Sequence, residues 1–261
     1  MKLDASVAAV VTGGASGLGE ATARRMASHG VRVTLLDLDE VRGNRIARDI
    51  GGLFVQTDVT SEDSVAKALE MARSRHGIER VTVNCAGIAP GKRTVGRNRE
   101  TGALMPHDLA SFARVVNINL IGTYNVVAQS AAGMAGAEPV TEDGGRGVIV
   151  MTASVAAEDG QVGQAAYAAS KGGVASLTLP VARDLASFGI RVATILPGIF
   201  YTPMFDTLHE DFRKSLAASV PFPQRLGRPD EYASLVQHIC ENDMLNGETI
   251  RLDGAIRMAP K

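Results

Sequence analysis

The chain has 261 residues, of which 45% are hydrophobic and 4% aromatic, and its formal net charge at pH 7 is −1. This length suits one α/β domain spanning residues 1–261, and the apolar content is sufficient for a large core. Because a near-neutral chain has no overall positive field, we expect neither nucleic acid nor a membrane surface as a partner.

Seven short apolar runs alternate with longer helix-like segments. The runs cover residues 6–12, 31–38, 53–56, 81–84, 147–152, 191–196 and 248–252. Several are apolar at nearly every position, which is typical of strands covered on both faces of a parallel sheet. Amphipathic segments such as 19–29 and 61–76 lie between them. The alternation predicts a single-domain α/β fold with a Rossmann-type doubly wound parallel sheet and right-handed crossovers.

Two stretches interrupt this alternation. Residues 89–107 are polar and carry Lys92, Arg93, Arg97 and Arg99, and we expect a long loop or a small excursion there. Residues 198–223 follow the sixth strand and mix aromatic, proline and charged residues. Long loops at the carboxyl ends of strands often close over ligands, so this second stretch is predicted to be a substrate lid.

The chain contains two cysteines, Cys85 and Cys240, which are too few for a disulfide framework. We interpret them as reduced thiols in a reducing compartment. The amino-terminal residues lack the features of a signal peptide, and no run approaches about 20 uninterrupted apolar residues. We therefore expect a cytoplasmic protein without a membrane span.

A glycine-rich turn joins the first strand to the first helix. Its sequence is TGGASGLG, and the expected cofactor contacts are Thr12, Gly13, Ser16, Gly17, Leu18 and Gly19. Such a turn lets the backbone approach a pyrophosphate and directs the positive end of the following helix at it. The spacing differs from the usual G-x-G-x-x-G, and an ordinary tight turn is the alternative interpretation.

Asp37 ends the second predicted strand, about twenty residues after the glycines. A carboxylate there can accept hydrogen bonds from the adenosine ribose and would repel a 2′-phosphate, which favours NAD over NADP. The alternative is a helix N-cap, a role open to Asp37 or Asp39.

Two later turns lie where the rest of a dinucleotide would bind. Asp58 and Val59 follow the third strand, where an acceptor can meet the adenine amino group. Cys85, Ala86 and Gly87 follow the fourth, where small residues allow close approach of the backbone. Simple strand-end chemistry is the alternative at both places.

Tyr167 and Lys171 are four positions apart in a helix-like stretch and share one face. Tyrosine, with a pKa of about 10, is a poor base at neutral pH, and a nearby ammonium lowers that value. The pair suits proton exchange with an alcohol, although such spacing also arises by chance. Ser154, at the end of the fifth strand, can hold the substrate oxygen, and its alternative role is a helix or turn cap.

Together TGGASGLG, NCAG, YAASK and Pro197-Gly198, with Asp37 and Ser154, resemble the short-chain dehydrogenase/reductase family over essentially the whole chain. The resemblance implies a strand order of 3-2-1-4-5-6-7 and a homotetramer. It also implies that Tyr167 is the acid/base, that Lys171 lowers its pKa and holds the nicotinamide ribose, and that Ser154 orients the substrate.

The resemblance adds further site residues. Asn119, in an N-hydrophobic-x-G context, matches the structural and proton-relay asparagine of the family. NCAG departs from the more frequent NNAG, and Cys85 is interpreted as a packing or backbone-supporting residue. The expected NAD contacts extend to Tyr167, Lys171, Pro197, Gly198, Phe200 and Thr202.

Within the family, segments 163–173, 197–205 and 250–258 and the insertion after NCAG are similar to the type II 3-hydroxyacyl-CoA dehydrogenase subgroup. This implies hydride transfer between NAD(H) and a 3-hydroxyacyl-CoA or 3-ketoacyl-CoA. The predicted substrate contacts are Ser154, Gln164, Tyr167, Phe200, Met204 and Phe205. The basic residues of 89–107 are candidates for binding CoA phosphates, with a solvated surface as the alternative.

Two other functions stay open. One is an NAD-dependent dehydrogenase of hydroxysteroids or other secondary alcohols, and the other is a non-catalytic NAD-binding scaffold subunit. The set of Ser154, Tyr167 and Lys171 argues against the scaffold, because binding alone requires no tyrosine acid/base. No His/Cys/carboxylate cluster points to a metal, so none is expected.

Overall fold

The computed structural model describes residues 1–202 and 210–260. Seven strands of the described chain form one parallel sheet, and two more form a separate hairpin. The strands are β1 (Ala8–Thr12), β2 (Arg32–Asp37), β3 (Leu53–Gln56), β4 (Val81–Asn84), β5 (Val95–Arg97), β6 (Leu104–Pro106), β7 (Gly147–Thr152), β8 (Ile190–Pro197) and β9 (Glu248–Leu252). The sheet order is β3-β2-β1-β4-β7-β8-β9, which confirms the predicted 3-2-1-4-5-6-7 once the hairpin strands β5 and β6 are set aside.

Helices cover both faces of the sheet. They are α1 (Gly17–Ser28), α2 (Glu40–Ile50), α3 (Glu62–His76), α4 (Leu109–Val116), α5 (Gly122–Ala135), α6 (Ala165–Ala186), α7 (Glu210–Ala218) and α8 (Pro229–Glu241). One core joins the sheet to α1, α2 and α8, and cores on the other side join it to α3, α5 and α6. The fold is therefore doubly wound, as predicted.

The central strands are buried on both faces, which explains their apolar sequences. All residues of β1, β4 and β7 are buried. In β7, Val148 and Val150 belong to the core beneath α8, whereas Ile149 and Met151 belong to the core beneath α6. Successive side chains of a strand point to opposite faces, so a strand between two helical layers is apolar throughout.

The insertion at 89–107 contains the antiparallel hairpin β5–β6, in which Gly96 lies opposite Met105. The backbone N–H of Lys92 donates to the carbonyl of Gly163 (2.8 Å) and so attaches the insertion to the loop before α6. The excursion predicted from the sequence is thus a hairpin placed beside the start of that helix.

The predicted lid falls partly outside the described residues. Met204 and Phe205, two of the predicted substrate contacts, lie there, and α7 forms the described part beyond the gap. No helix in 1–202 or 210–260 has the length and apolar character that a membrane crossing requires.

Candidate active site

The carboxyl ends of the parallel strands meet at one cleft of about 1540 Å³. Carboxyl ends are where doubly wound sheets bind ligands. Among the described residues, every predicted site residue except Thr12 and Asn119 lines this cleft. The strand order has therefore brought together motifs that lie up to about 190 positions apart in the chain.

The glycine turn at the start of the cleft has no room for side chains. Gly13 and Gly17 have positive φ angles of 63° and 53°. A Cβ on Gly13 would lie 2.8 Å from the backbone nitrogen of Ala86, and one on Gly19 would lie 2.2 Å from the carbonyl oxygen of Gly13. Ser16, which precedes α1, makes no side-chain cap, so the turn presents backbone to the cleft.

Thr12 lies behind this turn rather than in the cleft. Its Oγ1 accepts hydrogen bonds from the backbone N–H groups of Cys85 (3.2 Å) and Ala86 (3.1 Å). Thr12 is buried and its side chain does not line the cleft, so its contact with the cofactor stays a prediction. The hydroxyl instead fixes the NCAG turn against the end of β1.

Asp37 faces the cleft at the end of β2. Its two carboxylate oxygens accept from the backbone N–H groups of Ala15 (3.0 Å) and Asp39 (3.0 Å). The N-cap of α2 is Asp39, which accepts from Arg42 N–H (3.0 Å). Asp37 is therefore not the cap of that helix, and its negative charge lies beside the glycine turn.

Asp58 and Val59 line the neighbouring part of the cleft. The Asp58 carboxylate accepts from Thr60 N–H (2.9 Å) and from Thr60 Oγ1 (2.7 Å). This local turn holds the chain as it leaves β3. Asp58 thus has the strand-end role considered from the sequence. Its side chain is also exposed, as contact with a ligand requires.

Ser154, Tyr167 and Lys171 meet at the centre of the cleft. Ser154 follows β7, accepts from Ala156 N–H (3.1 Å) and shares a side-chain hydrogen bond with Tyr167. Tyr167 and Lys171 lie one turn apart on α6, with Lys171 Nζ 5.9 Å from the centre of the tyrosine ring. The ammonium of Lys171 donates to the carbonyl oxygen of Thr152 (2.7 Å).

Burial governs the ionisation of Lys171 and Tyr167. It lowers the pKa of Lys171 to about 8, because a buried ammonium loses hydration. It raises the pKa of Tyr167, and the hydrogen bond from Ser154 acts in the opposite direction. The lowering of the tyrosine pKa by Lys171 stays a prediction. A protonated Tyr167 can act as a proton donor.

Asn119 lies in a π-helical turn, Asn117–Ile121, that links α4 to α5. Its Oδ1 accepts from Ile88 N–H (2.8 Å), and its Nδ2 donates to the Ile88 carbonyl (2.9 Å) and to Ser170 Oγ (3.0 Å). A Cβ on Gly87 would lie 3.1 Å from Asn119 Oδ1 and 3.6 Å from Lys171 Nζ. Asn119 is therefore adjacent to the cleft behind Gly87, and its proton-relay role stays a prediction.

The predicted substrate residues differ in their surroundings. Gln164 lines the cleft, and its Oε1 accepts from Gln161 N–H (3.0 Å). Phe200 reaches the cleft but packs mostly into the core, where a Cβ on Gly227 would lie 2.8 Å from its ring. Its side chain thus supports the cleft wall more than it extends into the open space.

The basic insertion is only partly available to a ligand. Lys92 forms an ion pair with Asp108, and Arg97 donates to the Gly102 carbonyl (2.7 Å). Arg93 lines a separate groove of about 470 Å³ that also includes Gln164. Of these three cations, Arg93 is the one directed to a groove next to the cleft.

Met258 also lines the cleft and was not predicted as a site residue. The tail that carries it is attached by two bonds to the loop before α6: Val162 N–H donates to the Pro260 carbonyl (3.0 Å), and Gln161 Nε2 to that of Ala259 (2.8 Å). The apolar character of the carboxyl-terminal segment was its only signal in the sequence.

Comparison with known proteins connects this geometry to a family. The family model for short chain dehydrogenases matches residues 7–213. The chain belongs to the short-chain dehydrogenase family. The predicted family and the predicted class of enzyme, an oxidoreductase, are both confirmed.

Individual relatives are similar over nearly their whole length. The chain is 55% identical to a 3-hydroxyacyl-CoA dehydrogenase type-2 of Drosophila melanogaster over 96% of this chain and 97% of that protein. It is 54% identical to the Homo sapiens protein of the same name, over 97% and 95% of the two chains. A crystal structure of 3-hydroxyacyl-CoA dehydrogenase type-2 from Mycobacterium avium superposes with a TM-score of 0.93, at 45% identity and with 100% of both chains covered. The predicted resemblance to the type II subgroup is confirmed.

A short-chain dehydrogenase works on a small molecule with a nicotinamide cofactor, and the cleft fits such a cofactor. The glycine turn presents backbone to the cleft, because a Cβ on Gly13 or Gly19 would collide with neighbouring backbone, and Asp37 supplies an acceptor at the end of β2. Ser154, Tyr167 and Lys171 lie further along the same cleft. A dinucleotide can therefore extend from the first motif to the second within one continuous space.

Proposed function

We propose that this short-chain dehydrogenase transfers a hydride between NAD(H) and a 3-hydroxyacyl-CoA or 3-ketoacyl-CoA. The observation that carries the proposal is the hydrogen-bonded pair of Ser154 and Tyr167 beside the buried Lys171, in a cleft that fits a nicotinamide dinucleotide. The names of the similar proteins support the acyl-CoA substrate.

In the reducing direction the Ser154 hydroxyl holds the substrate carbonyl oxygen, and protonated Tyr167 donates a proton to that oxygen as it becomes a hydroxyl. The bound cofactor supplies the hydride. In the oxidising direction the Tyr167 phenolate takes the alcohol proton. The positive charge of Lys171, present below its pKa of about 8, stabilises the phenolate that proton donation leaves. Asn119, which lies behind Gly87, supports the proton exchange as the proposed proton relay.

Asp37 supports NAD as the preferred cofactor. Its carboxylate is fixed by Ala15 and Asp39 at the end of β2, so it cannot easily turn away from a ligand. A fixed negative charge accepts hydrogen bonds from ribose hydroxyls and repels a 2′-phosphate. The described lining of the cleft around Asp37 also includes Arg42, which lies at the start of α2.

The acyl-CoA substrate is supported by the groove beside Gln164, which extends the site toward the insertion. Arg93 offers a guanidinium there, the side chain best suited to bind phosphate. Phe200 and Met258 supply apolar surface in the adjoining cleft. A thioester bound at Ser154 thus has apolar surface and a cation within the same region.

Assembly and location are proposed with the function. We propose a homotetramer, in agreement with the family resemblance. The exposed apolar side chains of Leu109 on α4, Ile121 in the π-helical turn and Tyr124 on α5 are typical of an interface. We also propose a cytoplasmic location, which agrees with the two free cysteines, Cys85 and Cys240.

The deciding experiment follows reduced-nicotinamide absorbance with acetoacetyl-CoA as the substrate, using NADH and NADPH in parallel. We expect turnover with NADH and little with NADPH. Tyr167→Phe should lose turnover by about 100-fold or more, since it removes the proton donor, yet still bind NADH by fluorescence titration.

Turnover of a hydroxysteroid in place of the acyl-CoA would favour the secondary-alcohol function. No turnover over a panel of alcohols and ketones, with NADH still bound, would favour the scaffold.

A separate variant tests the CoA contact. Arg93→Gln should raise the KM for acetoacetyl-CoA several-fold and leave the KM for a ketone without CoA unchanged, because the cation would meet only the nucleotide part. Arg45→Gln, an exposed arginine on α2, is the matched control. An equal change in both KM values would show that Arg93 does not bind the CoA part of the substrate.

A further inference from the structure

Three polar side chains from distant elements meet where the wall of the cleft, which Cys85 and Thr152 line, joins the apolar core. Thr152 ends β7, Cys85 follows β4, and Tyr232 lies on α8. The Tyr232 hydroxyl is 2.6 Å from Thr152 Oγ1, and the Cys85 Sγ is 3.6 Å from both oxygens. Tyr232 is completely buried and belongs to the core between the sheet and α8.

This cluster continues across the sheet to the active site. The Thr152 side chain points to the α8 face, as do Val148 and Val150 of the same strand. The carbonyl oxygen of Thr152 accepts the hydrogen bond from Lys171, which extends from α6 on the opposite face. A continuous path thus runs from α8 through Tyr232 and Thr152 to the ammonium of Lys171.

The position of the tyrosine hydroxyl requires an explanation. A buried hydroxyl loses its hydration, so phenylalanine would be the less costly residue if packing were the only requirement. Here the hydroxyl is satisfied by Thr152 and Cys85 at the strand end that also leads to Ser154, two residues further. Its bond restricts the position of Thr152 and therefore of the carbonyl that receives Lys171.

We propose that Tyr232 is a positioning residue that acts through Thr152 to hold Lys171 in place. The proposal depends on the proposed function only in taking Lys171 as part of the catalytic group. In the described part of the chain, the Thr152 carbonyl is the one hydrogen-bond acceptor of the Lys171 ammonium. A displacement of that carbonyl therefore changes the surroundings of the charge directly.

The titratable groups that face Lys171 are neutral near pH 7. They are Cys85 on the turn after β4, Tyr167 on α6, and Tyr232 on α8 next to Thr152, and burial raises the pKa of each. Among the described residues the Thr152 carbonyl is thus the hydrogen-bond acceptor of the charged form, and the electrostatic influence of Cys85 also raises the pKa of Lys171. The titration of Lys171 is consequently a direct report on that contact.

The test measures this titration in the protein without cofactor, using ¹³C-labelled lysine and NMR. The chain has six lysines, so the Lys171 signal can be assigned with Lys171→Arg. We expect Tyr232→Phe and Thr152→Val to move the titration midpoint of Lys171 down by roughly half a pH unit or more, since the ammonium loses a well-placed acceptor. Thr152→Ser, which keeps the hydroxyl, should retain the wild-type midpoint.

Thr34→Val, which removes another buried hydroxyl, on β2, is the control and should leave the midpoint unchanged. With acetoacetyl-CoA and NADH, kcat should fall about tenfold in Tyr232→Phe and in Thr152→Val, and should stay near the wild-type value in Thr152→Ser. Lower stability of Tyr232→Phe with an unchanged Lys171 midpoint would overturn the proposal and leave the hydroxyl with a structural role. Because the titration requires no substrate, it decides the proposal even if acetoacetyl-CoA is not turned over.

Discussion

At the scale of single residues, Asp37 combines an architectural task with the proposed selection of the cofactor. Its carboxylate joins the glycine turn to the end of β2 by accepting from Ala15 and Asp39. The same charge faces the cleft where the proposed NAD ribose would bind. The sequence indicated the second task, but the hydrogen bond to Ala15 depends on the packing of β1 against β2.

Asp37→Asn should weaken the preference for NADH over NADPH by about tenfold, because it removes the charge that repels a 2′-phosphate. An amide has one acceptor oxygen where the carboxylate uses two, so we also expect a lower kcat/KM with NADH. The measurement is the ratio of kcat/KM for the two cofactors. Asp39→Asn, in which asparagine can still cap α2, should keep the wild-type ratio. An unchanged ratio in Asp37→Asn would assign cofactor choice to another residue.

Lys171 should make stability depend on pH. Its pKa falls from 10.5 to about 8 in the fold, so below about pH 8 the folded protein carries a buried charge at a cost. Between about pH 8 and pH 10.5 the unfolded chain binds more protons at this site than the folded one, and the contribution to the unfolding free energy therefore rises with pH, by at most about 1.4 kcal/mol per pH unit.

Lys171→Met removes this contribution. Its gain in unfolding free energy over wild type should be largest at pH 7 and shrink toward pH 10, as measured by urea denaturation. Lys67→Met, on the exposed surface of α3, is the control and should show no such trend. A gain that stays constant with pH would contradict a buried charged lysine.

At the scale of elements, a buried ionic network joins α3, β4 and α5 at the end of the sheet opposite the cleft. Arg73 on α3 donates twice to the buried Glu79 (3.0 and 2.8 Å), and Ser130 on α5 donates to the same carboxylate (2.8 Å). Ser130 Oγ is also 2.5 Å from Thr82 Oγ1 of β4. A buried carboxylate with all these partners is costly to disturb.

Glu79→Gln should lower the unfolding free energy by about 1–3 kcal/mol, since one oxygen becomes an amide group that cannot accept from arginine. NADH affinity should be unchanged, because the network lies away from the cleft. Glu20→Gln, which breaks the partly exposed pair with Arg24, should cost less than about 1 kcal/mol. Chemical denaturation of the three proteins measures the difference, and equal losses in the two variants would contradict the special role of burial.

At the scale of the whole molecule, the sheet order places each candidate group at one edge. β1 lies between β2 and β4, so Asp37 and NCAG flank the glycine turn. β7 lies next to β4 and brings Ser154 beside α6. The cleft thus follows from topology, since parallel strands all end on the same side.

The homotetramer is testable at this scale. Light scattering during size-exclusion chromatography should give four times the 27.3 kDa of one chain at micromolar concentration, because apolar side chains on α4 and α5 would be covered by other subunits. A mass of one chain under these conditions would exclude the assembly. Ile121→Glu, which places a charge on the exposed apolar surface, should dissociate it if that surface is an interface.

The sequence by itself determined the features that depend on short-range order. Strand positions follow from apolar runs, the glycine turn from its backbone requirements, and the shared face of Tyr167 and Lys171 from a spacing of four. Together these motifs also identified the family and, through it, the strand order. Each of these signals lies within a few neighbouring residues, so it can be read without knowing what packs against them.

Only the tertiary structure decided how the side chains are used. It placed Thr12 behind the cleft, engaged the Asn119 amide with Ile88 and Ser170, and raised the pKa of Tyr167 through burial. It also brought Tyr232 to Thr152, eighty positions away in the chain. Hydrogen bonds and desolvation depend on which distant elements meet, and that is fixed by the packing of helices on the sheet rather than by any local pattern.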